Sequence, residues 1–128
     1  MILWNMSMAM MPKEVINDLL GFEGLKIIQR PDMLNFSLDS ILVADFARFT
    51  SRIRNVVDVG TGLAPIPLFL SAINPHIHIT GFEYQKDVAA IAKKSVTLNS
   101  LDNRIEIIGD DFNHALEYLR PTSVDLII

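Results

Sequence analysis

From Val56 onward the sequence predicts an α/β domain built on a parallel sheet, and three observations predict it. Short apolar runs alternate with helix-like runs, so helical crossovers return each strand to the same end of a sheet. The first apolar run, Val56-Val57-Asp58-Val59, passes directly into Gly60-Thr61-Gly62. Glycines there let the backbone turn tightly and approach a ligand before the next helix begins. Three successive strand-like runs also carry or lead into acids: Asp58 in the first, Glu83 after the second and Asp110-Asp111 after the third.

The elements follow in order. Residues 24–36 read as a hairpin, two short strands around Arg30-Pro31-Asp32. Ser37 suits the cap of a helix over 37–50, with Leu38, Ile41, Leu42, Phe46 and Phe49 at three-to-four spacing. A strand over 56–59 leads through the glycine turn into a helix opened by Pro65 and Pro67. The next strand spans 77–82, and a helix over 85–98 places Val88, Ala89, Ile91, Ala92 and Val96 on one side. A strand over 105–108, a short helix over 114–119 and a strand over 124–128 complete the chain. The sequence shows neither internal repeats nor linkers, so residues 13–128 read as one domain behind an apolar, methionine-rich leader, 1–12.

The glycine turn has two readings. Gly60 and Gly62 would serve any tight strand-to-helix turn. The dinucleotide fingerprint, however, wants a third glycine where Pro65 stands, and it carries no acid two residues before the first glycine, where this chain has Asp58. Asp58 is expected at the mouth of the cleft, where its carboxylate would repel a pyrophosphate. S-adenosylmethionine, with an ammonium, a sulfonium and no phosphate, suits that carboxylate better than NAD does.

With these residues in view, the chain resembles the class I S-adenosylmethionine-dependent methyltransferases. The resemblance implies a Rossmann-like sheet of order 3-2-1-4, counted from the 56–59 strand. It assigns Gly60 and Gly62 to the cofactor loop, Glu83 to the ribose hydroxyls, Tyr84 to a face of the adenine and Asp110 to its edge, with Asp111 and Phe112 beside it. Each acid could instead cap the following helix. Ala64 departs from the pattern, since many methyltransferases carry a third glycine there; slightly altered loop packing is expected.

The upstream segment narrows the resemblance. Lys26-Ile27-Ile28-Gln29, then Phe36-Ser37-Leu38-Asp39-Ser40-Ile41-Leu42, then the glycine loop, resemble the tRNA1(Val) adenine methyltransferase family of small-domain amino methyltransferases. The similarity runs from about Lys13 onward and carries Phe36 and Asp39 over as cofactor-site residues. A core aromatic and a first-turn acid are the alternatives. In related enzymes the 124–128 strand leads into Asn/Asp-Pro-Pro-Tyr/Phe, the loop that holds the target nitrogen in line with the methyl group. That loop is expected just after Ile128, so no catalytic residue is assigned within the chain. The 128 residues alone are expected to bind cofactor without methyl transfer, and the apolar 124–128 edge is expected to favour self-association.

Composition bounds the rest. Cysteine is absent, which excludes disulfides and thiolate metal sites, and His76, His78 and His114 show no ligand spacing on one helix face, so no metal is expected. The net charge of −4 arises entirely after residue 54: residues 1–54 hold six basic and six acidic side chains, residues 55–128 five and nine. This is not the basic footprint of an independent nucleic-acid binder. Lys26, Arg30, Arg48, Arg52 and Arg54 form either a local positive rim or a solvated surface. The leader has no basic residue before its apolar run and is too short to span a bilayer, so a cytoplasmic protein without a membrane partner is expected. The intact enzyme is expected to methylate the exocyclic amine of an adenine in tRNA. Methylation of an rRNA guanine or a protein glutamine, a non-catalytic cofactor- or partner-binding module, and a nicotinamide-dependent oxidoreductase fragment are the alternatives.

Overall fold

A computed structural model describes residues 13–19, 24–33 and 52–128. The leader and the 37–50 helix, with Phe36 and Asp39, lie outside the described residues. Strands β1 (Val15–Asp18) and β2 (Lys26–Gln29) precede β3 (Asn55–Val59), helix α1 (Pro65–Ile73), β4 (His78–Phe82), helix α2 (Lys86–Leu98) and β5 (Ile105–Ile108). A 3-10 turn over Phe112–Glu117 leads to β6 (Leu126–Ile127).

The main sheet is parallel with order β5-β4-β3-β6, which is the 3-2-1-4 arrangement expected from the sequence. Its β-branched strands alternate between two faces. Val56, Ile79, Ile105 and Ile107 join the main core with Leu68, Ile91, Ala92 and Val96 of α1 and α2. Val57, Phe82 and Ile108 form a second cluster, covered by Phe112, Ala115, Leu119 and Val124. Helix α1 opens with proline at its start, where the missing N–H has no intrahelical partner to lose. Its carbonyl end is capped by Arg104, whose guanidinium donates to Ser71 O at 3.1 Å and Asn74 O at 2.5 Å.

Three local expectations are corrected. Lys26–Gln29 is a strand, but its partner is the upstream Val15–Asp18, antiparallel with Ile16 opposite Ile28. Arg30-Pro31-Asp32 does form a turn, closed by Met33 N–H on Arg30 O and by an Arg30–Asp32 ion pair. The helix expected over 114–119 is a 3-10 turn starting two residues earlier, because Asp111 caps it through Asn113 N–H at 2.9 Å. The last strand pairs over only two residues, Leu126 with Val56 and Ile127 with Val57.

Side chains of α2 and its C-cap residue fasten the hairpin to the domain. The Ser95 hydroxyl, fully buried, accepts the Ile28 N–H at 2.9 Å. One turn later Asn99 accepts from Lys26 N–H at 2.8 Å and donates to Lys26 O at 2.7 Å, imitating a neighbouring strand's peptide. Lys26 pairs with Asp18 and Arg30 with Asp32, so two members of the suggested positive rim are neutralised locally. No helix among the described residues is long and apolar enough to cross a membrane.

Candidate functional site

Register brings the site together. Val59 lies level with Phe82, and Phe82 with Ile108, so three chain segments leave the sheet at one height. The glycine loop emerges from β3, Glu83 and Tyr84 from β4, and Asp110, Asp111 and Phe112 follow β5. They enclose a cleft of about 210 Å3 lined by Val59, Gly60, Phe82, Glu83, Tyr84, Asp110, Asp111 and Phe112.

The loop is held by backbone. Gly60 and Thr61 both donate to Phe82 O, at 2.8 and 2.9 Å, across the strand ends. Gly60 and Gly62 take positive φ, 71° and 60°, in the left-handed region where a Cβ is costly. Ala64 shares that conformation at φ 67° and caps α1. The special demand at this third position is therefore backbone conformation, where the sequence suggested only a small steric intrusion.

Asp58 is not at the mouth of the cleft. Its side chain turns under the loop, is 3% exposed and accepts the Thr61 hydroxyl at 2.7 Å. Burial pushes its pKa up to about 6 against the lowering effect of the Thr61 bond. The residue expected to face a ligand instead supports the loop from inside. Gly81 completes this arrangement: a Cβ there would lie 2.9 Å from Thr61 Cγ2 and Oγ1.

Glu83 is the acid that the fold orients toward the glycine loop. Its Oε1 accepts Gly62 N–H at 3.1 Å and its Oε2 accepts Gln85 N–H at 2.7 Å, fixing the carboxylate between the loop and the start of α2. Tyr84 stands out from the surface, 73% exposed, at the edge of the same cleft.

Asp110 carries a denser network. Oδ1 accepts Asp111 N–H at 2.7 Å and meets His114 Nδ1 at 2.9 Å, while Oδ2 accepts the Tyr118 hydroxyl at 2.7 Å. The Tyr118 bond first, then His114 and the Asp111 N–H, hold its carboxyl down to about 2. Asp110 raises the His114 pKa in return. Phe112 stands edge-on to Phe82 at 5.3 Å between centroids, and Tyr118 at 6.0 Å, so the aromatic floor and the acid are built together. Sequence reading missed Thr61, His114 and Tyr118. An acid at i with histidine at i+4 and tyrosine at i+8 was the available signal for the last two. Asp110, His114 and Glu117 bring ligand atoms within 4.8 Å of one another, but His114 Nδ1 is already spent on Asp110.

This sheet order, with the loop at the carboxyl ends of the strands, is a Rossmann-like arrangement, and known methyltransferases share it. The chain is 28% identical over 80 residues to a release factor glutamine methyltransferase from Aliivibrio fischeri, covering 60% of this chain and 25% of that protein. A SAM-dependent methyltransferase from Agrobacterium tumefaciens superposes with a TM-score of 0.69 at 16% identity, over 91% of this chain and 39% of that one. The tRNA (uracil-54, C5)-methyltransferase of Pyrococcus abyssi, in complex with S-adenosyl-L-homocysteine, gives 0.65 at 12% identity, over 89% and 27%. The chain thus spans about a quarter of the length of the curated relative it matches. It matches no protein-family model.

Proposed function

We propose that this chain is the cofactor-binding portion of an S-adenosylmethionine-dependent methyltransferase. The charge of the cleft carries the reading: among its lining residues Glu83, Asp110 and Asp111 are acidic and none is basic. A pyrophosphate would be desolvated beside three carboxylates, whereas an ammonium and a sulfonium gain from them. The argument first made for Asp58 therefore holds for the cleft, through different residues.

In this reading Glu83, already fixed by Gly62 and Gln85, uses its remaining lone pairs for the ribose hydroxyls. Gly60 and Gly62 let the loop backbone approach the amino-acid end of the ligand. Tyr84 and Phe112 flank the adenine, and the Asp110–Asp111 segment meets its edge. Phe36 and Asp39 would close the cofactor from the upstream side. Bound there, S-adenosylmethionine supplies an electrophilic methyl group on sulfur. Asp58 and Thr61 set the loop's shape without touching the ligand.

For the substrate of the whole protein, the upstream resemblance favours the exocyclic amine of an adenine in tRNA, in the cytoplasm. A single-stranded base can be splayed into a pocket for such chemistry. The similarity to a release factor glutamine methyltransferase favours a second acceptor, a glutamine side-chain amide. Both are planar –NH2 groups, and the fold does not choose between them. The test is transfer of a labelled methyl group by the protein carrying this chain, offered unmodified tRNA and release factor in parallel. Label in adenine supports the first acceptor, and label in the protein replaces it with the second. Label in neither removes both.

A further inference from the structure

Asp110, His114 and Tyr118 follow one another at intervals of four residues, and the 3-10 turn brings all three together beside the cofactor cleft. A carboxylate can accept about four hydrogen bonds, two on each oxygen. Oδ1 of Asp110 meets Asp111 N–H at 2.7 Å and His114 Nδ1 at 2.9 Å, which fills it. Oδ2 accepts the Tyr118 hydroxyl at 2.7 Å and keeps one position open. The side chain remains 27% exposed and lines the cleft, so that position is within reach of a ligand.

Three donors on two oxygens also remove the carboxylate's freedom to turn. One donor is backbone; the other two are side chains four and eight residues further on. Tyr118 is itself held, its ring edge-on to Phe82 at 6.0 Å between centroids. Tyr118 above all, with His114 and the Asp111 N–H, holds the carboxyl down to about 2. Asp110 is therefore an acceptor only, with no proton to donate. An amine at the edge of a purine suits such a group. A carbonyl oxygen in the same place would face a fixed carboxylate and be repelled. A site built to bond an N–H discriminates against an analogue that lacks it.

We propose that His114 and Tyr118 are positioning residues, which fix Asp110 with its open Oδ2 position toward the cofactor's base and make the cleft select a 6-amino over a 6-oxo purine. This assignment rests on the cofactor reading above, in which Asp110 meets the adenine edge.

Calorimetric titration of the chain with S-adenosylhomocysteine and with its 6-oxo analogue, S-inosylhomocysteine, tests it. The parent is expected to favour the amine by at least about tenfold. Tyr118→Phe and His114→Ala are each expected to cut that preference about threefold or more, by weakening the amine ligand, with circular dichroism unchanged. His114→Asn keeps an N–H donor near the place of Nδ1 and is expected to restore most of the preference. Leu116→Ala, at a position 77% exposed on the same turn, should change neither affinity. Equal weakening of both ligands marks a merely structural role and overturns the assignment. So does a preference unchanged in either variant. A parent that binds both ligands alike also overturns it, while the cofactor reading stands. Saturable binding of neither ligand removes that reading and this assignment together.

Discussion

The Thr61 hydroxyl donates to Asp58 at 2.7 Å, and through that bond a carboxylate buried in the sheet supports the loop above it. Burial outweighs that bond and pushes the pKa up to about 6. Below about pH 4 both folded and unfolded chains hold this proton. Between the ordinary value of 3.8 and about 6 the unfolded chain releases it first, so the folded state binds more protons. Stability contributed by Asp58 therefore falls as pH rises through that window, by up to about 3 kcal/mol.

Asp58→Asn removes the titration and keeps an acceptor for Thr61. The variant is expected to be more stable than the parent above pH 6 by about 1–3 kcal/mol, the difference vanishing toward pH 4. Urea unfolding of both proteins across this range checks it. A pH-independent difference would mean that Asp58 does not titrate in the window.

Gly81→Ala presses a methyl group against Thr61 and is expected to cost about 1–3 kcal/mol by overpacking. Adding Thr61→Ala removes Cγ2 and Oγ1, leaving Thr61 Cβ at 3.0 Å, and should recover part of that loss. Additive destabilisation in the double variant, measured by thermal melts, would contradict the contact.

Ser95→Ala leaves the buried Ile28 N–H without its acceptor, at an expected cost of about 1–3 kcal/mol. The loss should localise: amide exchange of β2 is expected to accelerate more than that of β4. Equal acceleration in both strands would deny that Ser95 fastens the hairpin.

Tyr118→Phe deletes the largest of the effects that lower the Asp110 pKa. The Asp110 carboxyl is expected to titrate at higher pH in the variant, moving toward 3.8, as followed by carboxyl NMR shifts. An unmoved titration would show that the phenol does not hold the acid.

The sheet was legible in the sequence because its strands are short β-branched runs separated by amphipathic helices, and parallel strands bury both faces. Glu83 was legible because a strand end fixes where its side chain emerges. Asp58 was misplaced for a related reason: one position earlier in the alternation of a strand turns a side chain from cleft to core. The pairing of Lys26–Gln29 with Val15–Asp18 was hidden because β1 is exposed along its whole length and carries no alternating pattern. Ser95 falls inside the helix expected over 85–98 and Asn99 just past its end; only the packed hairpin shows that they complete its hydrogen bonds.

The most direct test of the cofactor site is calorimetric titration of the chain with S-adenosylhomocysteine, with NADH as competitor and Glu83→Gln alongside. Saturable binding that NADH does not displace, weakened at least about tenfold in the variant by the loss of a charged acceptor for the ribose, is the predicted result. Binding of NADH in place of S-adenosylhomocysteine, or equal affinity in the Glu83→Gln protein, would contradict the assignment.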